Sequence, residues 1–274
     1  MVIGAAGFVG GSIVSLLKRE AIPVLALGRK EVDLLAPDAP GKLKAFLKKG
    51  DAVVAASAKA PVRNSDMLVE NMIMARAMVQ ALACTDVAHV VNISSDAVYA
   101  DSDKPLTESS CASPGSLHGA MHLAREVMFQ SELKAPLAIL RPSLLYGAAD
   151  PHNGYGPNRF RRLAAKGEDI VLFGEGEERR DHVFIDDVAE IVRRVLFRRS
   201  TGVLNIATGE VHSFADVARK VISLSKKKVL VKTSARSDRM PHNGYRPFDI
   251  AGCRKAFPDF RYTSLDEGLR KANG

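Results

Sequence analysis

Met1-Val2-Ile3-Gly4-Ala5-Ala6-Gly7-Phe8-Val9-Gly10 decides the fold. A short apolar run meets three glycines spaced GxxGxxG, and a helical pattern follows over 11–20 with Ile13, Leu16 and Leu17 facing inward. Strand, glycine turn and helix in that order bring a helix N-terminus, with its unbonded amide groups, up to the turn. Gly4 permits the tight turn, Gly7 lets backbone approach an anionic group, and Gly10 lets the helix close on the sheet. The arrangement suits the pyrophosphate of a dinucleotide, held by Gly4, Gly7, Phe8, Val9 and Gly10. Three residues make a short strand beside the usual ~5–6. Either the first strand is a stub or the natural start lies upstream.

Strands and helices alternate outward from this turn. Strands are expected at 23–27, 51–56, 89–95, 137–142 and 203–206, and helices at 41–49, 65–83, 116–131 and 187–196. That alternation predicts an α/β, Rossmann-type, doubly wound parallel sheet covered on both faces. On helix 65–83, Leu68, Met72, Ala75, Val79 and Leu82 form an apolar stripe. From Tyr146 the character changes. Gly, Pro and Asn crowd 147–158, a helix follows at 159–166, a strand at 170–173 and a helix at 213–224. The expected division is a dinucleotide-binding domain over 1–145 plus about 181–210, and a smaller interleaved C-terminal substrate lobe over about 146–180 plus 211–274.

Composition narrows the function classes. The 274 residues are 46% hydrophobic and 26% charged, ordinary for a globular chain, and no apolar run approaches the ~20 residues of a membrane span. No charged leader precedes an apolar stretch, so a signal peptide is not expected. Cys84, Cys111 and Cys253 are odd in number and far apart, which predicts neither a disulfide framework nor a metal site and points to the cytoplasm. The net charge is +8, yet acids intersperse the basic clusters and no aromatic ladder accompanies them. Nucleic acid is therefore not an expected partner, whereas a field attracting a phosphorylated ligand is. At the end of the second strand, Leu27-Gly28-Arg29-Lys30 lacks the acid that would hold a ribose 2′-hydroxyl. Arg29 or Lys30 paired with a 2′-phosphate would make the cofactor NADP, with NAD the alternative; the plainer reading is two exposed bases.

Further motifs come in order: Asp51-Ala52-Val53-Val54 leading to Ala56, Asn71 on a helix, NISSDAVYA at 92–100, RPSLLYG at 141–147, GEGEERRDHVFIDDVA at 174–189, NIATGE at 205–210 and RPFD at 246–249. Along nearly its whole length the chain resembles the extended short-chain dehydrogenase/reductases of the NAD-dependent epimerase/dehydratase family, in particular the nucleotide-sugar type. The resemblance implies that Ala56 and Asn71 join the cofactor site and that Ser95 hydrogen-bonds the reacting oxygen. It also implies a Tyr-x-x-x-Lys pair within SLHGAMHLARE at 116–126. Aligned on Gly119 and Glu126, His118 stands at the tyrosine position and His122 at the lysine position.

Two readings of that replacement stand side by side. An imidazole titrates near pH ~6.5 without any lowering, so His118 can exchange the proton while His122 hydrogen-bonds the nicotinamide ribose, both from one helix face. In the other, both are satisfied polar residues of a site that has lost its dyad. A zinc site is not expected, because no third ligand has fitting spacing. Asp96 is followed by Ala97, not by the glutamate that the resemblance would require for a 4,6-dehydratase. Arg180 matches the arginine that contacts the substrate diphosphate, with Asn158, Arg159 and Arg246 as weaker companions and Asp181 in a structural role. Tyr99 and Tyr146 are read as packing residues. The methionines of 65–83 and 116–131 suit either a single-chain core or the four-helix bundle of a homodimer, as the resemblance implies. The expected function is NAD(P)-dependent epimerisation or carbonyl reduction of a nucleotide-diphosphate sugar. The rivals are a catalytically silent NAD(P)-binding module and a reductase of a non-nucleotide carbonyl.

Overall fold

In the computed structural model, which describes residues 1–237 and 239–273, the opening motif folds as β1 (Val2–Ile3) and α1 (Phe8–Arg19). Helix α1 starts three residues before the expected 11, because the turn is complete at Gly7, its N-cap. Strand β2 (Ala26–Leu27) is two residues long instead of five. It pairs only Val2↔Ala26 and Ile3↔Leu27, so the stub β1 limits how far its neighbour can extend, and Pro23 has no N–H to give. Next come α2 (Ala39–Phe46), β3 (Ala52–Ala55), α3 (Ser65–Ala83), β4 (His89–Ile93), α4 (Leu117–Glu132) and β5 (Leu137–Pro142). Helix α2 begins and ends earlier than the expected 41–49: Pro40 sits in its first turn and Leu47 is already extended.

Beyond β5 lie β6 (Leu144–Tyr146), α5 (Pro157–Lys166), β7 (Ile170–Phe173), β8 (Arg179–Phe184), α6 (Ile185–Arg198) and β9 (Gly202–Ile206). Strand β10 (Val211–Ser213), α7 (Phe214–Ser223), β11 (Val231–Ser234), β12 (Tyr245–Arg246), α8 (Ala251–Ala256) and α9 (Leu265–Asn273) complete the chain.

The chain divides into two units. Unit 1 comprises Met1–Ala100, Ser110–Pro142 and Val188–Ile206; unit 2 comprises Asp101–Ser109, Ser143–Asp187 and Ala207–Gly274. Unit 1 carries a six-stranded parallel sheet in the order β2-β1-β3-β4-β5-β9. Its strands are near-continuous apolar runs because both faces are covered. One face buries Ile3, Val53, Ala55 and Val90 against Leu43, Met74, Met78 and Phe129. Helix α3 packs on both α2 and α4. Its buried face is therefore broader than the expected stripe: Met74, Met78 and Ala81 are buried beside Ala75, Val79 and Leu82, while Leu68 and Met72 are half-buried. In unit 2, β8 pairs antiparallel with β10 and parallel with β12 and β6, and β7 pairs with β11. Strand β8 pairs on both sides, which explains how a segment reading RRDHVF becomes a buried strand.

Candidate active site

The glycine turn is built for close approach. Gly4 has φ +89°, and a Cβ there would stand 2.6 Å from the Ser57 amide nitrogen. A Cβ at Gly10 would stand 2.2 Å from the Gly4 carbonyl oxygen. No side chain can fit at either place, so turn, helix and the end of β3 meet backbone to backbone. Helix α1 has no side-chain cap and no acid in its first turn, leaving its positive end open to an anion. Beside it lies a cavity of about 220 Å³, lined by Gly4, Gly7, Arg29, Asp33, Ala56 and Lys59 among others. Glycines that a side chain would displace, an uncapped helix end and an adjoining cavity fit a dinucleotide.

Two residues expected to hold the cofactor already have partners within unit 1. The Arg29 guanidinium donates to Asp33 Oδ2 from Nε at 3.2 Å and Nη2 at 3.1 Å. Asn71 accepts from the Lys59 amide at 2.9 Å and donates to the Lys59 and Met67 carbonyls at 3.0 and 2.7 Å. Asn71 thus fixes the loop after β3 in both directions. Lys59 lines the cavity and pairs with Glu70 at 2.5 Å. Neither Lys59 nor Asp33 stands out in the sequence, because a single Lys or Asp in a polar loop has no periodic signature.

The end of β4 and the start of α4 form the second part of the site. Ser95 caps the short helical turn Asp96–Val98, its Oγ accepting from the Ala97 amide at 3.1 Å. Ser116 caps α4 by accepting from the Gly119 amide at 3.2 Å. A Cβ at Gly119 would lie 2.0 Å from the Ala97 carbonyl oxygen, so α4 rests directly on the Ser95 turn. That contact brings the His118–His122 helix to Ser95. The two imidazoles meet edge to face with centroids 4.7 Å apart. His118 is half-buried and His122 is buried. Burial first, then His118 and Arg125, hold the His122 imidazole well below the ordinary histidine range, so it is neutral.

Beneath this surface Ser94 donates to Glu126, which also accepts from Arg141 Nε at 2.9 Å and Nη2 at 2.5 Å. Arg141 donates to the Tyr99 hydroxyl at 2.9 Å, and that hydroxyl donates to Asn205 at 2.7 Å. Tyr99 is therefore part of a buried network under the site.

Unit 2 holds the remaining candidates. Arg180 on β8 pairs with Glu178 at 3.3 Å. Asp181 accepts from Ser143, from the Thr208 amide and hydroxyl and from the Gly209 amide, tying three segments together. Asn158 is buried between the Gly147 amide and the Leu145 carbonyl, and Arg159 is exposed. Arg246 is buried, with Nη1 3.0 Å from His242 Nδ1 and 3.5 Å from Asp101. Tyr146 is buried against Phe184, and its hydroxyl is pushed up in pKa by burial. Among the described residues no His, Cys, Asp and Glu cluster suits a metal ion, and no helix is long and apolar enough to cross a membrane.

Comparison with known proteins agrees with this fold. UDP-glucose 4-epimerase of Mycolicibacterium smegmatis is 28% identical over 254 residues, covering 78% of this chain and 80% of the relative. Among solved structures, UDP-glucose 4-epimerase of Thermus thermophilus in complex with NAD superposes with a TM-score of 0.84 at 24% identity, covering 99% of this chain and 96% of the other. UDP-glucuronic acid 4-epimerase of Bacillus cereus, in complex with UDP-glucuronic acid and NAD, gives 0.83 at 21% identity with the same coverage. The profile of the NAD dependent epimerase/dehydratase family matches residues 1–207. With its parallel sheet, its glycine turn and this match over most of its length, the chain belongs to the NAD dependent epimerase/dehydratase family.

Proposed function

We propose that the protein epimerises or reduces a nucleotide-diphosphate sugar by hydride transfer, with unit 1 serving the cofactor and unit 2 the substrate. The observation that supports this reading is the seat of Gly119 on the Ala97 carbonyl, which sets α4, the helix of His118 and His122, against the turn capped by Ser95. Ser95 orients the reacting oxygen and His118 takes up or returns its proton. His122, kept neutral, hydrogen-bonds the nicotinamide ribose. The dinucleotide, when bound, supplies the hydride acceptor or donor. Gly4, Gly7, Phe8, Val9 and Gly10 hold its pyrophosphate, Ala56 lines its cavity, and Asn71 shapes the neighbouring loop. Arg180 of unit 2 grips the substrate diphosphate, with Arg246 and Asn158 as its companions in that unit, and Asp96 is the substrate-binding candidate of unit 1.

NADP is the proposed cofactor where Arg29 is released from Asp33 to meet a 2′-phosphate; NAD is the form if the pair stays closed. Homodimerisation through α3 and α4 is supported by Val69 and Val127, 57% and 54% exposed on those helices. A cytoplasmic location is supported by the exposed free thiols of Cys84 and Cys111. A specific observation also favours a catalytically silent NAD(P)-binding module: neither the phenol nor the ammonium expected at 118 and 122 is present.

The test is turnover of UDP-, dTDP-, GDP- and CDP-sugars with either cofactor, in the unaltered protein and in His118→Phe. The expected result is turnover that falls by about 10²–10⁴-fold in the variant. Full activity in His118→Phe overturns the role given to His118. Cofactor binding without turnover of any sugar establishes the silent module, and failure of all four nucleotides to bind points to a non-nucleotide carbonyl substrate.

A further inference from the structure

Arg125 lies inside unit 1, 2% exposed. It stands three residues after His122 and four before Phe129, so the three share one face of α4. Its guanidinium carbon is 5.5 Å from the Phe129 ring centroid. Nη1 donates to the Ser57 carbonyl and Nη2 to the Ala55 carbonyl, both at 2.6 Å, and buried Nε has no partner. Among the described residues no carboxylate pairs with it. Burial holds its pKa down to about 10, which leaves it charged at neutral pH. An uncompensated buried charge is costly, and a neutral amide would serve as a clamp for one carbonyl. Glu126, the next residue, shows that this helix can present a carboxylate at the same depth.

The place of the charge is informative. The two carbonyls it holds flank Ala56, and Ala56 and Ser57 both line the cavity beside the glycine turn. The guanidinium therefore stands directly behind the cavity wall. Ala55 pairs in register with Asn92, whose buried amide nitrogen and oxygen also have no partner, so the layer behind the wall is polar without being neutralised. Toward the start of α4 the same charge acts on His122.

We propose that Arg125 is a positioning residue of the cofactor site whose unpaired charge favours the reduced, neutral nicotinamide over the oxidised, cationic one. A fixed positive charge raises the free energy of a cationic ring and leaves a neutral one nearly unaffected. Its attraction for the diphosphate is common to both redox forms and cancels in their ratio. The consequence would be that a dinucleotide bound here accepts one hydride, a hydrogen with its two electrons, more readily from a substrate carbon, the substrate's hydroxyl proton leaving separately to His118. The inference rests on the dinucleotide reading of the cavity.

The experiment is titration of the whole protein with NAD⁺ and NADH, and with NADP⁺ and NADPH, in the unaltered chain, Arg125→Lys and Arg125→Gln. The unaltered protein is expected to bind the reduced form about tenfold more tightly. Arg125→Lys, which keeps the charge and loses one carbonyl bond, is expected to hold that ratio within about threefold. Arg125→Gln is expected to bring it close to parity. A merely structural clamp would weaken both redox forms alike. Equal affinities in the unaltered protein, or an unchanged ratio in Arg125→Gln, overturn the inference even if Arg125→Gln folds poorly. Absence of binding by any dinucleotide overturns the cofactor reading with it.

Discussion

Glu126 turns toward β4 and β5, where Ser94 and Arg141 use both its oxygens and Tyr99 extends the chain of hydrogen bonds to Asn205. Arg125, one residue earlier on the same helix, turns toward β3, where among the described residues its hydrogen-bond partners are two carbonyl oxygens and no carboxylate. Both are buried. The difference teaches what each side of α4 is for. On the Glu126 side the protein closes its own electrostatics, and the result is rigid support beneath Ser95. On the Arg125 side it leaves a positive charge without a carboxylate and the His122 Nδ1 without a hydrogen bond, next to a cavity and a glycine turn. His182 in unit 2 is a third case: fully buried between Asp181 and Val183 on β8, with neither ring nitrogen bonded, and packed on Phe214 at 5.7 Å.

Breaking the closed side has the largest expected effect. Glu126→Ala strands the Arg141 guanidinium in the interior and is expected to cost about 3–5 kcal/mol in denaturant unfolding, with Glu126→Gln costing less. A loss below about 1 kcal/mol would mean that the two sides of α4 do not differ as described. His182 gives the next effect, through pH. Burial lowers its pKa from 6.5 to about 3. The unfolded chain therefore takes up a proton below about pH 6.5 that the folded chain refuses until about pH 3, so acidification through that window favours unfolding. His182→Phe is expected to remove about 2–4 kcal/mol of that acid sensitivity in thermal melts at graded pH; an unchanged curve contradicts it. Tyr99→Phe is the smallest step. It deletes the hydroxyl between Arg141 and Asn205 and is expected to cost about 1–2 kcal/mol with cofactor affinity unchanged, as unfolding and ligand titration would show.

Much of unit 1 is legible in the sequence because its signals are local and periodic. The glycine spacing, the bounds of α3 and the apolar runs of β3, β4 and β5 each follow from short-range chemistry. Unit 2 is less legible. Strands β6, β8, β10 and β12 are short or charged, and their burial comes from pairing with segments distant in sequence, as β8 does with β10 and β12. The candidate site divides the same way. Ser95, His118 and His122 lie in recognisable motifs, whereas Arg125 reads as an ordinary polar helix residue. Its signal was the 118, 122, 125, 129 spacing, which sets it on the face of the two histidines and Phe129. What that spacing cannot give is the absence of a partner, since an acid from another element would have made Arg125 a plain ion pair.

The seat of Gly119 on the Ala97 carbonyl has one more consequence. The register of α4 is set by Ser116, Gly119 and Glu126. Positions 118 and 122 project from a scaffold fixed by those neighbours, which makes them a socket whose chemistry is exchangeable. Installing a phenol at 118 and an amine at 122 should change the reagent while leaving the holder as it is. The side chains at 118 and 122 can therefore be exchanged without moving the backbone that carries them.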